Sequence, residues 1–162
     1  MDVDEFWRLI GIAKEAAADY DGRPLTLTTL LSERSAADVQ DFYEHYIDHI
    51  DKAWRWDLWG AAYFIQGGCS DDGFDYFRDW LISEGREVYE AALVDPESLG
   101  DVGGVEDAGL EEFRYVADKV YEAKTGKEMV PRERHFPRDL VGEEWDEDDL
   151  ETMFPKLAAR FD

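Results

Sequence analysis

The chain has 162 residues, with 40 Asp and Glu against 17 Lys and Arg and a formal charge of −23. That balance argues against a protein that grips nucleic acid by neutralising phosphates, and against one drawn to an anionic membrane surface. High net charge signals disorder only where aromatics are few; six Trp, eight Tyr and nine Phe instead predict one folded domain with its own core.

In chain order, Phe6, Leu9, Ile10, Ala13, Ala16, Ala17 and Tyr20 recur at three- and four-residue steps, the mark of a helix face. Asp2 or Asp4 caps it, and Asp21-Gly22-Arg23-Pro24 ends it. A short helix is expected over Leu25 to Ser32. Ser35, with Asp38 three residues on, opens the clearest helix, whose stripe is Val39, Phe42, Tyr43, Tyr46, Ile47, Ile50 and Trp54. His45 and His49 fall opposite that stripe and read as a solvated polar face; a HExxH zinc pattern is missing.

Asp57 is the expected cap of a helix over Leu58 to Gln66, apolar nearly all round and therefore expected at the centre of the fold. Gly67-Gly68 stops it. Ser70 starts the next helix, which runs to Glu84 with Phe74, Phe77, Trp80 and Leu81 inward and Gly85 as C-cap. Arg86 to Leu93 continues as a shorter helix. Residues 97–107 read as a glycine-containing loop. Leu110, Phe113, Val116, Ala117, Val120 and Tyr121 define a last long helix closed by Gly126. Beyond Met129, Pro131, Pro137, Pro155 and the acids of 143–151 suggest an extended arm with one or two helical turns, pinned by Trp145, Met153, Phe154, Leu157 and Phe161. The expected fold is all-α: a compact bundle of roughly five to seven helices over 1–128, with an acidic C-terminal arm, 129–162, packed on the same domain.

Cys69 is the only cysteine, so no internal disulfide forms and an oxidising compartment is not indicated. Acids at Asp2, Asp4 and Glu5 stand where a signal peptide needs basic residues, and no apolar run approaches the ~20 residues of a membrane span. A soluble cytoplasmic protein is expected.

The segment from Trp54 to Leu93 carries the most distinctive text: Asp57-Leu-Trp-Gly-Ala-Ala-Tyr63, then Gly67-Gly-Cys-Ser-Asp-Asp-Gly-Phe74, Phe77-Arg78 and Trp80-Leu81-Ile82. In these runs, and from Phe6-Trp7 through Trp145-Asp-Glu-Asp148, the chain resembles the bacterial family known as domain of unknown function 4240. The resemblance implies no reaction, ligand or catalytic residue.

The residues themselves offer several candidates. Free N–H groups after Gly67-Gly68 form an anion site in other proteins, yet Asp71 and Asp72 would repel a phosphate, and the P-loop Lys is missing. Asp71, Asp75 and Asp79 share one helical face with Asp72 alongside. Asp71, Asp72 and Asp75 are therefore weak candidate ligands for Ca²⁺ or Mg²⁺, although Arg78 can instead neutralise them. Cys69 sits near a helix start, where thiols are activated, but the adjacent acids oppose this and His45, His49 and His135 are distant in sequence; a buried inert thiol is the simpler reading. Trp54, Trp56 and Trp59 cannot all face one way, so some lie at a helix junction. They serve as core anchors, or line a groove in which a partner's Arg or Lys stacks on an indole beside Asp57.

Three functions follow in order. First comes a non-catalytic acidic module whose partner is a protein or peptide with a basic surface, using Trp56, Asp57, Trp59, Tyr63, Cys69, Asp71, Asp72, Asp75 and Arg78. Second is a metal- or small-molecule-binding enzyme built on the Gly67–Asp75 turn with Trp59, Tyr63 and Tyr76. Third is a mimic of nucleic acid. No cofactor is predicted.

Overall fold

The computed structural model describes residues 1–133 and 139–161, so His135 and Pro137 lie outside the described residues. Every regular element among the described residues is helical. Among the described residues there are ten α-helices rather than five to seven: α1 Val3–Ala16, α2 Arg23–Ser32, α3 Ala36–Lys52, α4 Trp56–Gln66, α5 Asp71–Ser83, α6 Arg86–Val94, α7 Glu111–Arg114, α8 Val116–Thr125, α9 Leu150–Met153 and α10 Pro155–Phe161.

Local chemistry explains the boundaries. The Asp2 carboxylate accepts from the Glu5 amide at 2.9 Å, the Ser35 hydroxyl from Asp38 at 3.1 Å and the Ser70 hydroxyl from Gly73 at 3.1 Å, each satisfying an orphan helix donor. α4 ends at Gly67, whose φ of +68° is the left-handed cap that glycine adopts without strain. Asp57 is not the cap of α4: the helix begins at Trp56, two residues before the expected Leu58, with Arg55 in the cap position, and the Asp57 carboxylate instead takes the Leu58 amide and Arg55 within the first turn.

The extra helices arise where periodicity is silent. The expected helix from Leu110 breaks at Tyr115 into α7 and α8. Residues 97–107 wind into two 3-10 turns, Pro96–Asp101 and Val105–Asp107, held by the buried Leu99 and Val105. The C-terminal segment forms another, Glu147–Asp149, before α9 and α10. It seats Leu150, Phe154 and Leu157 in the core while Met153 is exposed.

α5, rather than α4, is the central helix. Phe77 through Ser83 are all buried, and α5 packs against α1, α3, α4, α6 and α7. α4 contributes the small residues Gly60, Ala61 and Ala62 to the interior, while Trp59, Tyr63 and Phe64 remain half-buried. A helix that is apolar all round is here explained by a second layer: α9 and α10 cover the side of α4 that the bundle leaves free. An ion-paired cluster staples the opposite end, where buried Arg23 of α2 meets Glu84 at 2.8 Å and donates to the Ser83 hydroxyl at 2.9 Å. Lys14 of α1 donates to the Glu84 carbonyl at 2.9 Å.

Candidate functional site

Two regions bring chemistry-bearing side chains together. The first is the aromatic ledge on α4. Trp59 stacks on Phe74 with ring centroids 5.5 Å apart and planes 5° from parallel, and on Trp56 at 5.5 Å and 11°. Its indole N–H donates to the Cys69 carbonyl at 2.9 Å. Trp145 of the C-terminal segment meets Trp56 and Trp59 edge-on at 6.0 and 5.8 Å, and its N–H donates to the Trp56 carbonyl at 2.6 Å. Gly60 permits this approach: a Cβ there would lie 2.8 Å from the Trp145 ring nitrogen. Of the three tryptophans read either as core anchors or as the lining of a groove for a partner's Arg or Lys, Trp56 and Trp59 thus carry the chain's own Trp145 indole edge-on.

The neighbouring candidates are placed as follows. Asp57 pairs with Arg55 at 3.0 Å. Asp71 and Asp72 are exposed in the first turn of α5. Asp75 is engaged by Arg78, whose buried guanidinium lies 4.6 Å from the Trp54 ring and 5.2 Å from Phe74 and donates to the Ile50 carbonyl at 2.8 Å. Cys69 is buried, and burial pushes its thiol up to about 11. Among the described residues, no three His, Cys, Asp or Glu side chains converge as a metal site, and no helix is long and apolar enough to cross a membrane.

The second region is a pocket between α3 and the α7–α8 break, about 170 Å³ in volume and lined by Tyr43, Tyr46, Ile47, Ile50, Arg114, Tyr115 and Asp118. Beneath it lies Asp79, fully buried on α5. Tyr46 donates to one Asp79 oxygen at 2.5 Å, and Arg114 donates to the other at 2.8 Å. Burial raises the Asp79 carboxyl to about 7, against the opposing pull of Arg114, Tyr46 and Arg78. Asp118 is raised as well, first by burial and then by Glu128. Its Oδ1 is buried without a hydrogen-bond partner.

The family model for proteins of unknown function, DUF4240, matches residues 1–123. The chain belongs to that family. No curated protein and no solved structure matches it. The DUF4240 match takes in every residue that lines the pocket, whereas Trp145 and the segment covering α4 lie beyond it.

In this DUF4240 protein the pocket draws on residues that sequence reasoning missed. Tyr43, Tyr46, Ile47 and Ile50 were one undivided stripe, and Arg114 and Asp118 carried no signal. The stripe splits: Val39, Phe42, Tyr46 and His49 are buried, Phe42 and His49 against Phe6 of α1 and Tyr46 against Asp79 of α5, while Tyr43, Ile47 and Ile50 stay half-buried. His49 therefore corrects the polar-face expectation. It stands three residues from Tyr46 and seven from Phe42, so it points inward. Its ring packs on Phe6, Trp7 and Tyr89 at 5.2, 5.0 and 5.4 Å, and burial lowers its basicity. Spacing alone would have found it; its polarity hid it.

Proposed function

We propose that this DUF4240 protein is a binding module for a protein or peptide segment rich in Lys and Arg. One observation carries the reading: every arginine among the described residues already stands within salt-bridge distance of a carboxylate of this chain. With 40 acids against 17 bases, internal pairing engages these arginines and still leaves a large surplus of carboxylates. Such a surplus steers basic partners inward and repels anionic ones.

A metal or small-molecule centre at the 67–75 turn draws less support, because Asp71 and Asp72 face solvent and Arg78 engages Asp75. The binding role is tested by calorimetric titration of the purified chain with oligolysine and with oligoglutamate at low ionic strength. Saturable binding of oligolysine alone is expected. Equal affinity for the two, or no heat with oligolysine, would refute it.

A further inference from the structure

We infer that the pocket between α3 and the α7–α8 break receives one lysine side chain of the basic partner. This rests on the binding role proposed above and names its point of contact.

Size is the first ground. At about 170 Å³ the pocket is smaller than the roughly 300–1,000 Å³ of sites that enclose a whole small molecule, so it suits a single side chain. Chemistry is the second. Ile47 and Ile50 offer apolar surface to a methylene stem, and a long cationic side chain buries its stem while its head stays polar. Three tyrosines, Tyr43, Tyr46 and Tyr115, line the same space, and aromatic rings grouped this way attract an ammonium ion through their quadrupoles. Tyr46 donates its hydroxyl proton to Asp79 at 2.5 Å, which enriches the electron density of that ring where Asp79 is ionised, above about pH 7.

Charge is the third ground. Among the described residues the one cation lining the pocket is Arg114, and its guanidinium is already engaged: its Nε donates to Asp79 at 2.8 Å and its Nη2 to the Asp75 carbonyl at 3.2 Å. What remains is the carboxylate of Asp118, half-buried in the wall, with no salt bridge to any Lys or Arg among the described residues. An anionic guest would meet both that carboxylate and the field of a chain carrying −23.

Two measurements test this. In the first, butylammonium chloride is titrated into the full chain and followed by NMR of the tyrosine rings, with sodium chloride at matched ionic strength as reference. Saturable shifts at Tyr43, Tyr46 and Tyr115 with butylammonium alone are expected; shifts identical in the two salts overturn the assignment. In the second, oligolysine affinity is measured by calorimetry for a set of variants. Asp118→Asn and Tyr115→Ala should each weaken binding by about five- to tenfold, while Tyr115→Phe and the remote Glu87→Gln stay within about twofold. Tyr115 is 39% exposed, so the Tyr115 pair reads the pocket even if Asp118→Asn disturbs folding. Wild-type affinity in both pocket variants would overturn the lysine pocket and leave the binding role standing. An oligolysine that fails to bind the wild-type chain would overturn both.

Discussion

Asp79→Asn offers the most quantitative probe of the buried group beneath the pocket. A carboxyl raised from 3.8 to about 7 favours its protonated form in the fold by about 4 kcal/mol. Below the lower value both folded and unfolded chains hold the proton, and the group contributes nothing. Between the two values only the folded chain holds it, so stability falls as pH rises. Above about 7 the fold carries a buried anion and the full penalty of about 4 kcal/mol. Asparagine does not titrate: its amide oxygen still accepts from the Nε of Arg114, at 2.8 Å in the wild type, while its NH₂ faces the Tyr46 hydroxyl, which must turn from donor to acceptor; that reversal and the loss of charge-assisted bonds cost about 1–3 kcal/mol. The variant should be less stable than wild type by about 1–3 kcal/mol near pH 4, and more stable by a similar amount near pH 8. Urea melts of both proteins across this range give the difference directly, because other titrating groups cancel in it. A gap that does not change with pH would refute the reasoning. So would a variant that loses ground as pH rises, since the pull of Arg114 and Arg78 would then exceed the cost of burial.

Three further outcomes are expected. Gly60→Ala gains up to about 1 kcal/mol of helix propensity but drives its Cβ to 2.8 Å from the Trp145 ring nitrogen. Loss of the Trp145 hydrogen bond and its ring contacts should leave a net destabilisation of about 1–2 kcal/mol and red-shifted tryptophan fluorescence; a variant more stable than wild type contradicts the close approach. Arg78→Ala removes a buried guanidinium that meets Trp54, Phe74, Asp75 and the Ile50 carbonyl, and should cost about 3 kcal/mol in chemical melts, a loss under about 1 kcal/mol being inconsistent with those contacts. Cys69, buried and held near 11, should react with iodoacetamide at about pH 8 far more slowly in the native than in the urea-unfolded chain; equal rates by mass spectrometry would show the thiol accessible.

Much of the architecture was legible because it is local. Phe74, Phe77, Trp80 and Leu81 follow the helical period and are all fully buried, and Ser35 and Ser70 cap where their hydroxyls predict. The Tyr115 break was not legible: Phe113, Val116, Ala117 and Val120 keep an unbroken apolar spacing across it, so the period reports burial and not backbone continuity. Glycines at 100, 103 and 104 pointed to a loop, yet Leu99 and Val105 anchor compact turns there. The pocket was hidden for a different reason. Asp79 meets Tyr46 and Arg114 across 33 and 35 residues of chain, a relation that exists only once α3, α5 and α7 have packed. Trp145 was expected to pin the C-terminal segment and does contact α4, but its seat on Trp56 and Trp59 depends on Gly60 being bare, which no periodicity reveals.

The binding role is tested most directly by following the dissociation constant of oligolysine from the full chain as salt rises from ~0.01 M, where charges act over roughly 30 Å, to ~0.15 M, where the range is roughly 8 Å. Surplus carboxylates predict affinity that weakens steeply and continuously with ionic strength. Affinity that holds constant across the series would contradict an electrostatic grip on a cationic partner.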